Sequence, residues 1–174
     1  MSASPLTTLL LNLRGDRFRD LAGARVSASI PVSERLLNEI VSATMPKNLP
    51  VRDVTIRPEP GNRFSVRIAP KAAFLPQLTV KLVIEKQPEF PTNPRVVLRM
   101  ATMGGLLGMA TAAFPIANLL PAGVSLEGER IVVDLGALAH REGVVDLLDL
   151  VKDLQITTEA GLVIVHVHAE AGQN

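Results

Sequence analysis

The sequence predicts one α+β domain in which a strongly curved antiparallel sheet wraps around long helices. Three observations predict it. Apolar and polar residues alternate with period two in successive stretches from Ala24 to Ala169, the pattern of strands with one dry face. Two further stretches place aliphatic residues at helical spacing, and residues 101–126 form a run of 26 without a single charge. The 174 residues are 47% hydrophobic, yet the aromatics are five Phe, with no Trp, Tyr or Cys. A chain of this size buries enough apolar surface to fold without a staple or a metal. Strands followed by helices on one side point to a layered α+β arrangement.

The elements follow in order. Ser4 and Pro5 read as a cap and first helical residue, followed by Leu6, Leu9, Leu10 and Leu13 and by the basic flank Arg14, Arg17 and Arg19. Residues 1–23 are thus predicted to be an amphipathic N-terminal helix, ahead of a domain over 24–174. Val26, Ala28, Ile30 and Val32 then alternate with Arg25, Ser27 and Ser29. Ser33 caps a helix carrying Leu36, Leu37, Ile40, Val41 and Met45, bounded by Pro46 and Pro50. Val54 and Ile56 open a hairpin that turns at 58–62 and returns as Phe64, Val66 and Ile68. Leu78, Val80, Leu82 and Ile84 form the next strand, and Val96, Leu98 and Met100 the one after. The uncharged run predicts a buried helix, or one lining an apolar cavity, through Leu106, Leu107, Met109, Ala110, Phe114 and Leu120. Its length would also fit a membrane span, but Gly104, Gly105, Gly108, Pro115 and Pro121 argue against one. A hairpin turning at Glu127-Gly128-Glu129 follows. A further helix is expected over about Arg141 to Leu154, on the stripe Val144, Leu147, Leu148, Val151 and Leu154. The chain closes with a strand to Thr158, a turn at Glu159-Ala160-Gly161 and a strand from Leu162 to Ala169.

Charge and composition exclude some functions. The net charge is +1, but residues 1–100 carry 15 Lys and Arg against 8 Asp and Glu, and residues 101–174 carry 3 against 9. This split allows attraction to anionic head groups, or of a basic half to an acidic half in a homodimer. Nucleic acid is not expected, because no aromatics interleave with the basic residues. The absence of cysteine removes thiol catalysis and thiolate metal sites. No basic, apolar and small-residue leader pattern stands at the start, so the expected location is cytoplasmic or peripheral to a membrane, with residues 4–21 able to lie on its surface.

Catalytic signals are weak. His166 and His168 share one strand face and could form a metal pair, with His140 or a distant carboxylate as third ligand. Alternation with Val165 and Val167 fits structural histidines better. Asp146, Asp149 and Asp153 read as a wet helix face. There is no Gly-flanked serine turn and no phosphate-binding glycine loop. Neither a catalytic residue, a metal nor a cofactor is expected.

Two stretches carry a resemblance. Residues 26–41, VSASIPVSERLLNEIV, run from a strand into a helix through a Ser-Glu start. Residues 128–136, GERIVVDLG, are followed by a helix and a closing hairpin. This order resembles the tubular lipid-binding (TULIP) superfamily, and in particular its small bacterial single-module phospholipid binders. The resemblance extends over most of residues 24–170. It implies acyl chains held in an aliphatic groove inside a curved sheet, with head groups near solvent. Those bacterial binders usually carry an export signal or lipid anchor, which is not seen here.

Simple energetics agree with that implication. Each buried methylene contributes about 0.8 kcal/mol, so an acyl chain can be held with no specific polar contact. The groove is expected to be lined by Val26, Ala28, Ile30, Leu37, Ile40, Val41, Phe64, Val66, Ile68, Val80, Leu82, Leu98, Leu106, Met109 and Phe114. The expected function is non-enzymatic binding or transfer of a lipid or other long aliphatic ligand. The alternative is an interaction or assembly domain with a filled core that self-associates through its basic and acidic halves.

Overall fold

The computed structural model describes residues 22–45, 50–72, 76–102, 120 and 122–171. Nine strands and three short helices follow one another in these segments. They are β1 (Arg25–Ser33), α1 (Glu34–Thr44), β2 (Val51–Glu59), β3 (Arg63–Pro70), β4 (Leu78–Lys86), β5 (Arg95–Thr102), β6 (Val124–Glu127), β7 (Arg130–Asp134), α2 (Leu135–Arg141), α3 (Val145–Leu148), β8 (Val151–Glu159) and β9 (Leu162–Glu170).

The strands form two antiparallel sheets. A six-stranded sheet has the order β2-β3-β4-β5-β7-β6, and a three-stranded sheet the order β1-β9-β8. The first is a meander that changes only at its end, where β5 pairs with β7 and β6 takes the outside. The second closes the chain on itself, because β1 pairs with the C-terminal β9 from Arg25↔Glu170 to Ser33↔Leu162.

The predicted architecture is corrected on one point. Among the described residues strands hold 58% and helices 17%, the sheet is curled and antiparallel, and the three helices are short, so no long helix is wrapped by it there. The helix from Ser33 forms as expected: the Ser33 hydroxyl accepts from Leu36 N at 3.2 Å and Glu34 sits in the first turn. It has 11 residues, however, and packs against β2 and β1. Of the helix expected over 141–154 only the four-residue α3 forms: α2 ends at Arg141, where that helix was to begin, and Val151 to Leu154 already belong to β8. Gly143 lies between α2 and α3 with φ +68, a conformation that ends a helix and favours glycine. The apolar spacing of Val151 and Leu154 fits a helix, but a shift in register between Val151 and Asp153 fits it to a strand. The expected helices over 1–23 and within 101–126 lie outside the described residues, except for the strand end at 101–102.

The hairpins appear where the turn residues place them. Gly61 and Asn62 both have positive φ between β2 and β3, and Gly161 has φ +73 between β8 and β9. Packing then divides the apolar residues. Val80, Leu82 and Met100 are buried, and Phe64, Val66, Leu78, Leu98, Leu126 and Ile131 pack against them. The register explains this cluster: Phe64 faces Leu82, Val66 faces Val80 and Leu82 faces Met100 on one side of the six-stranded sheet.

The two sheets meet at one corner. Thr158, 5% exposed, donates its hydroxyl to Glu59 O at 2.6 Å and accepts from Arg63 N at 3.0 Å. Gly161 N donates to Pro58 O at 3.1 Å. Gln87 reaches from the end of β4 to the backbone of Ile156, accepting from its N at 2.9 Å and donating to its O at 2.8 Å. Asn38 does the same for β2, accepting from Ile56 N at 2.7 Å and donating to Ile56 O at 2.8 Å. Each amide stands in for a missing strand and satisfies a backbone edge that would otherwise need water.

Candidate functional site: an open apolar sheet face

The three-stranded sheet has two unlike faces, set by the period of two along each strand. On one face lie Val26, Ala28, Ile30 and Val32 of β1. Their register partners are Ala169, Val167, Val165 and Val163 of β9. Beyond them stand Leu154, Ile156 and Thr158 of β8. This face carries no charge. Its burial falls steeply from one edge to the other. Leu154 and Val163 are 9% and 8% exposed, whereas Val26 and Ile30 are 58% and 50% exposed. The apolar surface is therefore closed on the β8 side and open along β1. On α1, Leu36 and Ile40 are also exposed, at 43% and 49%. Leu37 and Val41, on the neighbouring stripe, are half-buried.

The opposite face is polar. Ser27 Oγ lies 2.9 Å from His168 Nδ1, and Ser29 Oγ lies 2.9 Å from His166 Nδ1. Thr157 Oγ1 lies 3.1 Å from His166 Nε2, and Asp153 is the register partner of His168. Ser27, Ser29, Asp153, His166 and His168 border a shallow depression of about 280 Å³. Serine, histidine and aspartate thus stand in one row across three strands, a juxtaposition that sequence spacing could not reveal. Acyl transfer also needs donors aimed at a developing oxyanion. The β9 amides beside the histidines are committed to the ladders with β1 and β8, so the row offers hydroxyl and imidazole groups. Among the described residues, no three His, Asp or Glu side chains converge as metal ligands. His140 is exposed on α2, away from the pair on β9.

The residues predicted to line one groove fall into two groups. Val26, Ala28 and Ile30 are exposed on β1, together with Ile40 on α1. Phe64, Val66, Val80, Leu82 and Leu98 pack together in the six-stranded sheet. Ile68 belongs to the same face, paired with Leu78 and Val54. Leu106, Met109 and Phe114 lie outside the described residues.

No family model, curated protein or solved structure matches this chain. No helix among the described residues is long and apolar enough to cross a membrane.

Electrostatics concentrate on the other sheet. Arg130 pairs with Glu85 through two bonds, at 2.7 and 2.9 Å, and this holds the Glu85 carboxyl below the usual carboxylate range. The hydrogen bond from Lys81 lowers Glu59 in the same way. Asp134 caps α2, accepting from Ala137 N at 2.9 Å, and pairs with Arg95 at 3.1 Å. The backbone bond from Ala137 is the largest cause of its lowered pKa, with Arg95 adding to it. Two ion pairs, Arg25–Glu170 and Arg95–Asp134, join cations of the basic first part of the sequence to anions of the acidic second part, while Arg130–Glu85 joins the parts with the signs reversed. The charge split of the linear chain is thus partly neutralised within one molecule.

Proposed function

We propose that the protein binds a long aliphatic ligand, of the fatty-acyl or lipid class, along the apolar face of the three-stranded sheet. One observation carries this reading: the Val26, Ala28, Ile30 row stands open to solvent while its β8 side is closed. Fully burying one Val or Ile side chain stabilises by about 1.5–3 kcal/mol. A ligand that covers the row gains this energy without a polar contact. The face offers no charge or hydrogen-bonding group that would need satisfying, which suits a methylene chain. The resemblance of residues 26–41 to lipid binders supports the same ligand class, through β1 and α1 and not through a long central helix.

The test is extraction of the purified protein followed by mass spectrometry. Stoichiometric acyl lipid is expected in the unmodified protein, and at least tenfold less in Ile30→Asp. Circular dichroism of the variant should be unchanged, because Ile30 is already half exposed. Lipid-free protein after gentle purification, unable to take up a fluorescent fatty acid, would overturn the reading.

A further inference from the structure

The edges of the sheets are treated differently. At β8 the outward backbone of Ile156 is held by Gln87, and Thr158 N donates to Asn62 Oδ1 at 3.3 Å. At β2 the outward backbone of Ile56 is held by Asn38. β6, at the far end of the larger sheet, has only four residues, a short edge that offers little to pair with. β1 has nine residues, and no such closure protects it among the described residues.

Two bonds set which way the β1 backbone points. Ala171 N donates to Ala24 O at 3.0 Å and Glu34 N donates to Gly161 O at 2.9 Å. Both continue the β1–β9 register, so even-numbered residues bond to β9 and odd-numbered ones aim outward. The outward set is Arg25, Ser27, Ser29 and Pro31. Pro31 has no N–H to offer, which is tolerable only on this side. Between Arg25 and Pro31 this edge therefore presents three donors and four acceptors with no strand beside it among the described residues.

We infer that β1 pairs antiparallel with β1 of a second copy of this chain, about a two-fold axis at Ala28. In that register Val26 stands opposite Ile30 of the partner subunit, on the apolar face. The two most exposed large apolar residues of the strand thus cover each other. Arg25 stands opposite Pro31 of the partner subunit, so no like charges meet. Ser27 and Ser29 keep their bonds to His168 and His166 on the other face. About six backbone hydrogen bonds form, the two prolines withholding one donor each. Two three-stranded sheets become one of six strands, and their apolar rows become one floor. A seven-residue edge is a small interface by the standard of stable complexes, so the dimer dissociates on dilution.

The protein has no cysteine, so one introduced thiol reports the pairing cleanly. Residues directly opposite at a non-hydrogen-bonded antiparallel position have Cα atoms about 4.5 Å apart, within disulfide reach. Under mild oxidation Ala28→Cys should form a covalent dimer at least tenfold faster than Ala43→Cys, an exposed position on α1. Ser29→Pro in the Ala28→Cys chain removes an outward donor and leaves the β9 ladder intact; it should slow cross-linking to the Ala43→Cys rate with the strand signal in circular dichroism retained. Sedimentation of the unmodified protein should show a concentration-dependent dimer. Equal cross-linking at the two sites, or a monomer up to about 1 mM, far above the affinity of a specific complex, would overturn the pairing. The pairing and the ligand fail separately. A monomer that retains acyl lipid sinks only the dimer, and a lipid-free dimer sinks only the ligand reading.

Discussion

The two sheets are built from the same kind of strand and end in opposite states. β4 and β1 both alternate aliphatic with polar residues, and both have nine residues. Val80 and Leu82 of β4 are each 5% exposed, and Val26 and Ile30 of β1 are at least 50% exposed. The difference lies in neighbours. β4 has a strand on each side and side chains of β3 and β5 packed along its dry face. β1 has β9 on one side and, among the described residues, no strand on the other. An alternating pattern therefore states that a dry face is wanted, and the rest of the fold decides whether this chain supplies its cover.

The largest test of that contrast is a matched pair of truncations. Leu82→Ala should cost about 2–5 kcal/mol, because it opens a cavity in the packed cluster. Ile30→Ala should stay within about 0.5 kcal/mol in ligand-free monomeric protein, since surface truncations cost little. Urea unfolding of both variants measures the difference directly. Equal losses would mean that the β1 row is covered within the molecule after all.

The joint between the sheets should respond next. Gln87→Ala leaves the amide and carbonyl of Ile156 without a partner, and Asn38→Ala does the same to Ile56. Each should cost about 1–3 kcal/mol. Hydrogen exchange should localise the first loss to β8 and the second to β2. A uniform increase across both sheets would show that they unfold as one cooperative unit and blunt the contrast.

The smallest effect is electrostatic and belongs to the six-stranded sheet. Asp134, Glu59 and Glu85 have folded pKa values below their ordinary ones. Depressed carboxylates stabilise the fold above their unfolded pKa, and that contribution drains as pH falls through the folded value. Melting temperature should therefore fall between pH 5 and pH 2. Asp134→Asn keeps a good cap for α2 but removes one titrating group, so its melting temperature should fall less over that range. Asp134→Ala should lose about 1 kcal/mol at neutral pH through the cap alone. A steeper acid loss in Asp134→Asn than in the unmodified protein would contradict the assignment.

Much of the local structure was legible. The alternation of Phe64, Val66 and Ile68 with Arg63, Ser65 and Arg67 predicted β3, and Ser33 with Glu34 predicted the start of α1, because caps and face periodicity are written in adjacent residues. The helix expected over 141–154 was misread for a definite reason. Val144, Leu147, Leu148, Val151 and Leu154 satisfy a helical stripe, and only pairing with β9 assigns the last two to a strand. The candidate groove was legible only as a set of aliphatic residues. Val26 and Val80 look alike in sequence, and their separation into an open row and a packed core depends on which strands become neighbours. The Ser27, His168 and Asp153 row was invisible for the same reason, its members being up to 141 positions apart.

By itself the sequence determined the strands, their turns, the cap of α1 and an unusually aliphatic dry surface, all properties of residues within a few positions of one another. Only the tertiary structure decided that β1 joins the C-terminal hairpin, that Asn38 and Gln87 close two edges, and that β1 is the outer strand of its sheet among the described residues. Those outcomes depend on contacts between distant segments, whose entropic cost is repaid only when the whole set of neighbours forms together.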